Sequence, residues 1–404
     1  MVKHLLWRQC MRAVFLSSSR FLLAIGSLTT GIVVSGTLLT VNAAEPGLPT
    51  VQAAPPARLL VVTVTNGFRH GSILTAEPVL EALGRSSGLF HVDFLRVPSP
   101  PKSISRAADT SDEAWKKQEE KFTADKDTFR TEEESWKKSP VNEQFARAFA
   151  PQSLATFDGV IFANTTGNLP IPDMAAFLDW VRSGKAFIGM HSATDTLNGS
   201  DDYRALIGGI FAGHPWNAGG EHAFVVHEPT HPLARMFAER FRWNDEIYQY
   251  DPRFDPTTVR VLLSLDMAAS NPKQPWHVPV SWLSNFGKGR VFYTNLGHND
   301  ATWQNETFQQ HIQLGIGWSL GRFDVPADPN PEVQAAEYLR SVIAVAAPAT
   351  GNNADDYRAK ADAKIAADPQ WSVRLRPLLV ELRGMAPPAR AEGYAKVLAE
   401  ILAP

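Results

Sequence analysis

Cysteine is nearly missing from this chain. Cys10 is the only one in 404 residues, and it precedes an apolar stretch near the N-terminus. With no second thiol there is no disulfide framework, and no Cys-based zinc site. Strong net charge is missing too. The formal value of −3 gives no basic field, which argues against nucleic acid as a partner. No glycine-rich dinucleotide fingerprint or P-loop is found, so no nucleotide cofactor is expected, and no H-E-x-x-H spacing marks a zinc helix. What remains is ordinary for a globular protein, 44% hydrophobic and 20% charged, with tryptophan well supplied at 11. Trp serves sugar rings as a stacking surface, but for any single Trp the core is the usual place.

The N-terminus reads as an export leader. Lys3, Arg8, Arg12 and Arg20 precede an apolar run from Phe21 to Leu39, then Val41-Asn-Ala-Ala44. A charged region, an apolar region and a small-residue cleavage site place residues 1–43 in a signal peptide, and the mature protein in the periplasm or outside the cell. No membrane span is expected after cleavage, and the mature chain would carry no thiol. Residues 44–57 are an Ala/Pro-rich linker.

From residue 58 to 324 apolar runs alternate with helical pattern. Leu59–Thr65, Phe90–Leu95, Gly159–Ala163, Ala186–Met190, Ala223–His227, Val259–Leu265, Val278–Leu283 and Arg290–Asn295 read as strands. Helices are expected over 72–85, 173–183 and 306–320. The pattern implies an α/β fold with a doubly wound, mostly parallel sheet. Within about 101–150 lies a charged stretch with Trp115, Phe122, Phe129 and Trp136 at near-helical spacing. It reads either as a surface helix or hairpin with docked aromatics, or as a solvated spacer. Residues 325–404 form an Ala-rich helical tail.

In such sheets ligands bind at the carboxyl ends of strands. Four segments run from a strand pattern into polar groups there: Leu59 to His70, Ala186 to Asp195, Phe241 to Glu246 and Arg290 to His298. His191, His70, Glu246, Asp195 and His298 are the candidate catalytic groups. In Asp245-Glu246 adjacent side chains diverge, and Glu246 is taken as the inward one. Arg69, Thr165, Thr166, His214, Trp216 and Tyr248 are the candidate substrate-binding groups, Trp216 as an accessible stacking ring in a Gly-flanked loop. His191 is expected to project from a tight turn ahead of a helix whose positive end favours the neutral imidazole. A divalent metal held by His70, His191, His214, His298, Glu246 and Asp195 is left open. His227 and His231, in a Pro-bearing loop, are read as anchors.

The combination of Asn66-Gly-Phe-Arg-His70, Asn164-Thr-Thr-Gly167, Gly189-Met-His-Ser-Ala193, Asp245-Glu-Ile-Tyr248 and Leu296-Gly-His298 resembles the ThuA-like trehalose-utilisation family over roughly residues 58–321. The resemblance implies a fold like that of class I glutamine amidotransferases (flavodoxin-like), and a link to disaccharide or 3-keto-glycoside catabolism. In that fold the nucleophile sits at the centre of G-x-C-x-G. Here the centre is His191, which excludes amidotransfer, and Ser192 is one place off a serine elbow. The expected function is therefore hydrolysis, elimination or isomerisation of a small carbohydrate by His and carboxylate groups. The alternatives are a non-catalytic sugar-binding module and a protein-interaction scaffold. Substrate, metal and oligomeric state stay open.

Overall fold

The computed structural model describes residues 54–101 and 103–404. The leader and most of the linker read above lie outside them. Nine strands form one sheet: β1 (Ala57–Val62), β2 (Phe90–Leu95), β3 (Gly159–Ala163), β4 (Ala186–Met190), β5 (Glu221–Val226), β6 (Arg240–Asn244), β7 (Arg260–Leu265), β8 (Pro279–Phe286) and β9 (Gly289–Thr294). Their order is β2-β1-β3-β4-β9-β8-β7-β5-β6.

Half of this sheet is parallel and half is not. β2, β1, β3, β4 and β9 pair in parallel, linked by helices such as Ile73–Ser87 and Met174–Arg182. β3 and β4 are continuous apolar runs buried on both faces, as parallel strands covered by helices must be. From β9 outward every pairing is antiparallel. The reason is local. Phe286 pairs with Gly289, so β8 and β9 are joined by a two-residue turn, and parallel strands need a crossover of a dozen residues or more. That turn is also tighter than the six-residue loop expected from sequence. Gly287 takes φ 63° there, a conformation glycine adopts freely.

Successive reversals leave β6 running in the same direction as β9, so β1, β4, β9 and β6 all end on one edge of the sheet. β6 nevertheless lies four strand spacings from β9, about 19 Å. The chain after β6 bridges this gap by crossing back over the strand ends. Ile247, Gln249 and Asp251 donate their amides to the carbonyls of Trp216, Gly213 and Ile210 at 2.8, 2.9 and 2.8 Å.

The charged stretch is one 26-residue helix, Asp112–Lys137, with no buried residue. Its aromatics Trp115, Phe122, Phe129 and Trp136 are half-buried, and Trp136 packs on the aromatic core of one sheet face. Arg96 ties the helix to the body through Glu132 at 3.0 Å and holds Glu77 at 3.1 Å. Beyond residue 330 four helices, Pro331–Ala349, Ala354–Ala367, Gln370–Gly384 and Pro387–Leu402, build their own apolar cluster around Leu339, Leu379 and Val397. They join the sheet through Gln334 on the Val259 carbonyl at 2.9 Å and Arg376 on Asp255 at 2.6 Å. Among the described residues, no helix is long and apolar enough to cross a membrane.

Candidate active site

Four of the candidate residues meet at the shared strand edge. Ligand-type atoms of His70, His191, Glu246 and His298 all lie within 4.8 Å of one another. His191 is the hub. Its Nε2 is 3.3 Å from His70 Nε2, 3.3 Å from His298 Nδ1, 3.2 Å from the Tyr248 hydroxyl and 3.6 Å from Glu246 Oε2. Glu246 Oε2 also meets His298 Nδ1 at 3.0 Å, while its Oε1 meets His214 Nδ1 at 3.3 Å.

The backbone is arranged to produce this convergence. His191 directly follows β4 at φ 47°, a left-handed conformation that costs a β-carbon residue of order 1–3 kcal/mol. Strain of that kind persists where surrounding contacts enforce it. Here the Asn295 carbonyl accepts from His191 Nδ1 at 2.8 Å, and the Tyr293 hydroxyl donates to the His191 carbonyl at 2.7 Å. Since a carbonyl only accepts, the neutral ring carries its proton on Nδ1, and the Nε2 lone pair faces the cluster. The segment after His191 is a five-residue 3₁₀ turn, His191–Asp195, with no α-helix behind it. The helix-dipole effect expected from sequence therefore has no source. The ring is also fully buried, so it does not project freely from its turn.

His298 is placed by the loop after β9. Buried Asp245 accepts the amides of Gly297 at 2.7 Å and Asn299 at 2.9 Å, one on either side of His298. The Gly297 carbonyl receives Ser72, Asn164 and Trp303 at 3.0, 2.9 and 2.8 Å. Asp245 and Glu246 thus divide the work, one clamping backbone and the other facing the imidazoles.

The electrostatics separate the groups. Burial, then the neighbouring imidazoles of His191 and His298, drives His70 down to about 3, so it is neutral at pH 7. Burial opposes charge on Glu246, but His191 and His298 outweigh it and hold the carboxyl well below its ordinary range. Burial likewise disfavours a charged His298, yet Glu246 raises it above its usual value. Burial, then Glu246, raises Tyr248, which stays a phenol.

Several other candidates are engaged elsewhere. The Trp216 ring is fully buried with its Nε1 on the Pro272 carbonyl at 2.8 Å, so it offers no stacking face. The Arg69 guanidinium is spent on the Thr63 carbonyl at 3.1 Å and Ser99 at 3.0 Å. Thr165 pairs with Thr196 at 2.8 Å, and Thr166 donates to the Phe68 carbonyl at 2.7 Å. Asp195 bonds Asn198 at 2.7 Å; burial first, against that bond, raises its carboxyl. His227 is half-buried with Nε2 on Ser264 at 2.7 Å, and His231 meets the Pro326 carbonyl at 2.9 Å.

The site opens to solvent past His214 and His298, whose side chains are 53% and 25% exposed. Next to this opening stands Phe68. It is 67% exposed, and its ring centre is 4.9 Å from that of His70. Sequence pattern did not single it out. Its one signal was a large aromatic between glycine and arginine in a turn. A cavity of 590 Å³ also exists between the sheet and the last helices, bordered by Trp276, His277 and Arg383, and no cluster residue lines it.

Among solved structures, the chain is similar to a ThuA-like protein from Bacteroides uniformis at 18% identity and TM-score 0.46, covering 69% of this chain and 97% of that one. A ThuA-like protein from Parabacteroides merdae gives 17% and 0.43, covering 68% and 98%. An exo-β-1,4-mannosidase from an Opitutaceae bacterium gives 12% and 0.33, covering 66% of this chain and 36% of that one. No curated protein matches. A family model described as "ThuA: Trehalose utilisation" matches residues 58–319, which span β1 to β9 and every member of the His–Glu cluster. The chain belongs to the ThuA family.

Proposed function

We propose that this is an exported carbohydrate-processing enzyme acting on a disaccharide or 3-keto-glycoside by hydrolysis, elimination or isomerisation. The observation that carries this reading is the convergence of His70, His191, Glu246 and His298, from four separate chain segments, in a family described by trehalose utilisation. The fold is read as amidotransferase-like, with His191 standing where that fold keeps its thiol. In the cluster the lone pair of His191 accepts a proton and the His298–Glu246 pair supplies one, while His70, held neutral, lines the site. Phe68 and His214 at the opening receive the sugar, an exposed aromatic face being suited to its C–H surface. Export rests on the leader read in the sequence.

A second reading, a sugar-binding module without turnover, draws support from one feature. Ser192, the hydroxyl nearest the reactive turn, is fully buried, and its Oγ sits 3.3 Å from His70 Nδ1, leaving it no access as a nucleophile. Incubation of the purified protein with trehalose and with 3-keto-trehalose, followed by product analysis, tests both. Product from either sugar is expected. Saturable binding without product would support the module, and neither binding nor product would remove carbohydrate from consideration.

A further inference from the structure

We propose that the cluster is a binding site for one divalent transition-metal ion, ligated by His70 Nε2, His191 Nε2, His298 Nδ1 and Glu246 Oε2. This deepens the choice of the cluster as the functional site and rests on that choice, but not on any particular sugar. With an ion bound, the lone pairs of His70, His191 and His298 would be committed to it, and the ion would take over the proton chemistry assigned to His191 and the His298–Glu246 pair.

Four of the six ligand-atom separations have the spacing of a coordination shell, and every pair lies within 4.8 Å. An ion about 2.0–2.1 Å from its imidazole nitrogens in tetrahedral geometry holds neighbouring ligand atoms about 3.3–3.4 Å apart. The contacts here are 3.3 Å for His70–His191, 3.3 Å for His191–His298, 3.0 Å for His298–Glu246 and 3.6 Å for His191–Glu246. Hydrogen bonding accounts for the same contacts poorly. The single Nε2 lone pair of His191 would have to serve His70, His298 and Tyr248 at once, each within 3.3 Å. A cation at the centre is what several converging lone pairs and a carboxylate oxygen have in common.

The groups behind the ligands match as well. Metal-bound histidines usually give their other ring N–H to a carbonyl, carboxylate or water, which fixes the tautomer. His191 gives Nδ1 to the Asn295 carbonyl at 2.8 Å, and His70 Nδ1 lies 3.3 Å from Ser192 Oγ. Glu246 keeps Oε2 for the cluster and turns Oε1 to His214. Three imidazoles and one carboxylate, with no sulfur, suit a nitrogen-preferring ion of the zinc and cobalt class over calcium or magnesium. With four protein ligands a tetrahedral ion is already filled, so water or substrate would join as a fifth ligand on the side where His298 and His214 are partly exposed. An ion there would polarise a sugar carbonyl or lower the pKa of a bound water, a role that otherwise lacks a group in this site.

The test uses untagged full-length protein, stripped with chelator and titrated with Zn²⁺ and Co²⁺ in the absence of sugar. One ion per chain is expected by elemental analysis, with visible absorption from the cobalt form and a higher melting temperature for the zinc form. His298→Gln and Glu246→Gln, both checked for native circular dichroism, should weaken binding by about 100-fold or more, at or above the loss seen when outer-shell partners are removed. His91→Ala, at an exposed position of β2, should keep one ion per chain. Binding well below one ion per chain in the wild type, or stoichiometric binding that survives both cluster variants, would overturn the site. The sugar assay fails separately. A loaded site without turnover removes the carbohydrate reading and keeps the metal, whereas full turnover by stripped protein in chelator removes the metal and keeps the enzyme.

Discussion

At the scale of single residues, His298 and Phe68 offer the cleanest separation of chemistry from binding. His191 is the hub, but its buried ring and strained backbone mean that His191→Ala would lose packing and function together. His298 is partly exposed and touches the same centre, so His298→Gln should cost about 10²- to 10⁴-fold in kcat with little change in the melting temperature of the metal-free protein. Phe68 makes few contacts that the fold needs. Phe68→Ala should raise KM by about three- to tenfold, the worth of an aromatic contact, and leave kcat alone. Kinetics of both variants on one sugar, with melting curves, check the pair; equal losses in kcat would show that Phe68 does more than hold substrate. Phe68 was hidden in the sequence because an apolar residue next to a strand reads as core. Trp216 misled in the opposite sense. Glycines flank its loop and suggest access, but the indole N–H finds the Pro272 carbonyl, 56 positions away in the chain, and the ring follows it inside.

At the scale of elements, strands were legible where burial is two-sided. Gly159–Ala163 and Ala186–Met190 coincide with their expected bounds because continuous apolar runs have few alternative placements. β6 was much less visible. Arg240–Asn244 alternates between exposed and half-buried at the sheet edge, and its place beside β5 is set by pairing rather than by hydrophobicity. The return segment after it could not be read from pattern at all, since backbone amides on the Trp216, Gly213 and Ile210 carbonyls hold it. That segment delivers Asp245 to the β9 loop. Asp245→Ala would leave the Gly297 and Asn299 amides buried without acceptors, each costing about 1–3 kcal/mol. The expected result is a lower melting temperature and a loss of turnover that exceeds what instability explains, because His298 lies between the two amides. Turnover per folded molecule equal to wild type would show that the loop keeps His298 in place without the clamp.

At the scale of the whole molecule, the sheet and the last four helices are joined across a seam that carries a buried acid. Glu337, in Pro331–Ala349, is almost fully enclosed, with Arg340 at 3.5 Å and the Arg240–Asp266 pair nearby. Burial is the main effect, and Asp266 adds to it against Arg340 and Arg240, so the carboxyl is raised from 4.5 to about 7. A carboxyl whose folded pKa lies above its unfolded one binds its proton more tightly in the native state. Its contribution to stability is therefore complete below about pH 4.5, declines as pH rises, and is gone above about pH 7. Glu337→Gln keeps the shape and removes the titration. The variant should match wild type near pH 4.5 and melt at a higher temperature than wild type at pH 8, with the gap opening between those values. Desolvation lowers His227 to about 3, below this window, and pushes His277 in the same downward direction. A temperature difference between variant and wild type that stays constant from pH 4.5 to pH 8 would mean that Glu337 ionises in the fold as easily as in water, its arginine neighbours fully offsetting burial.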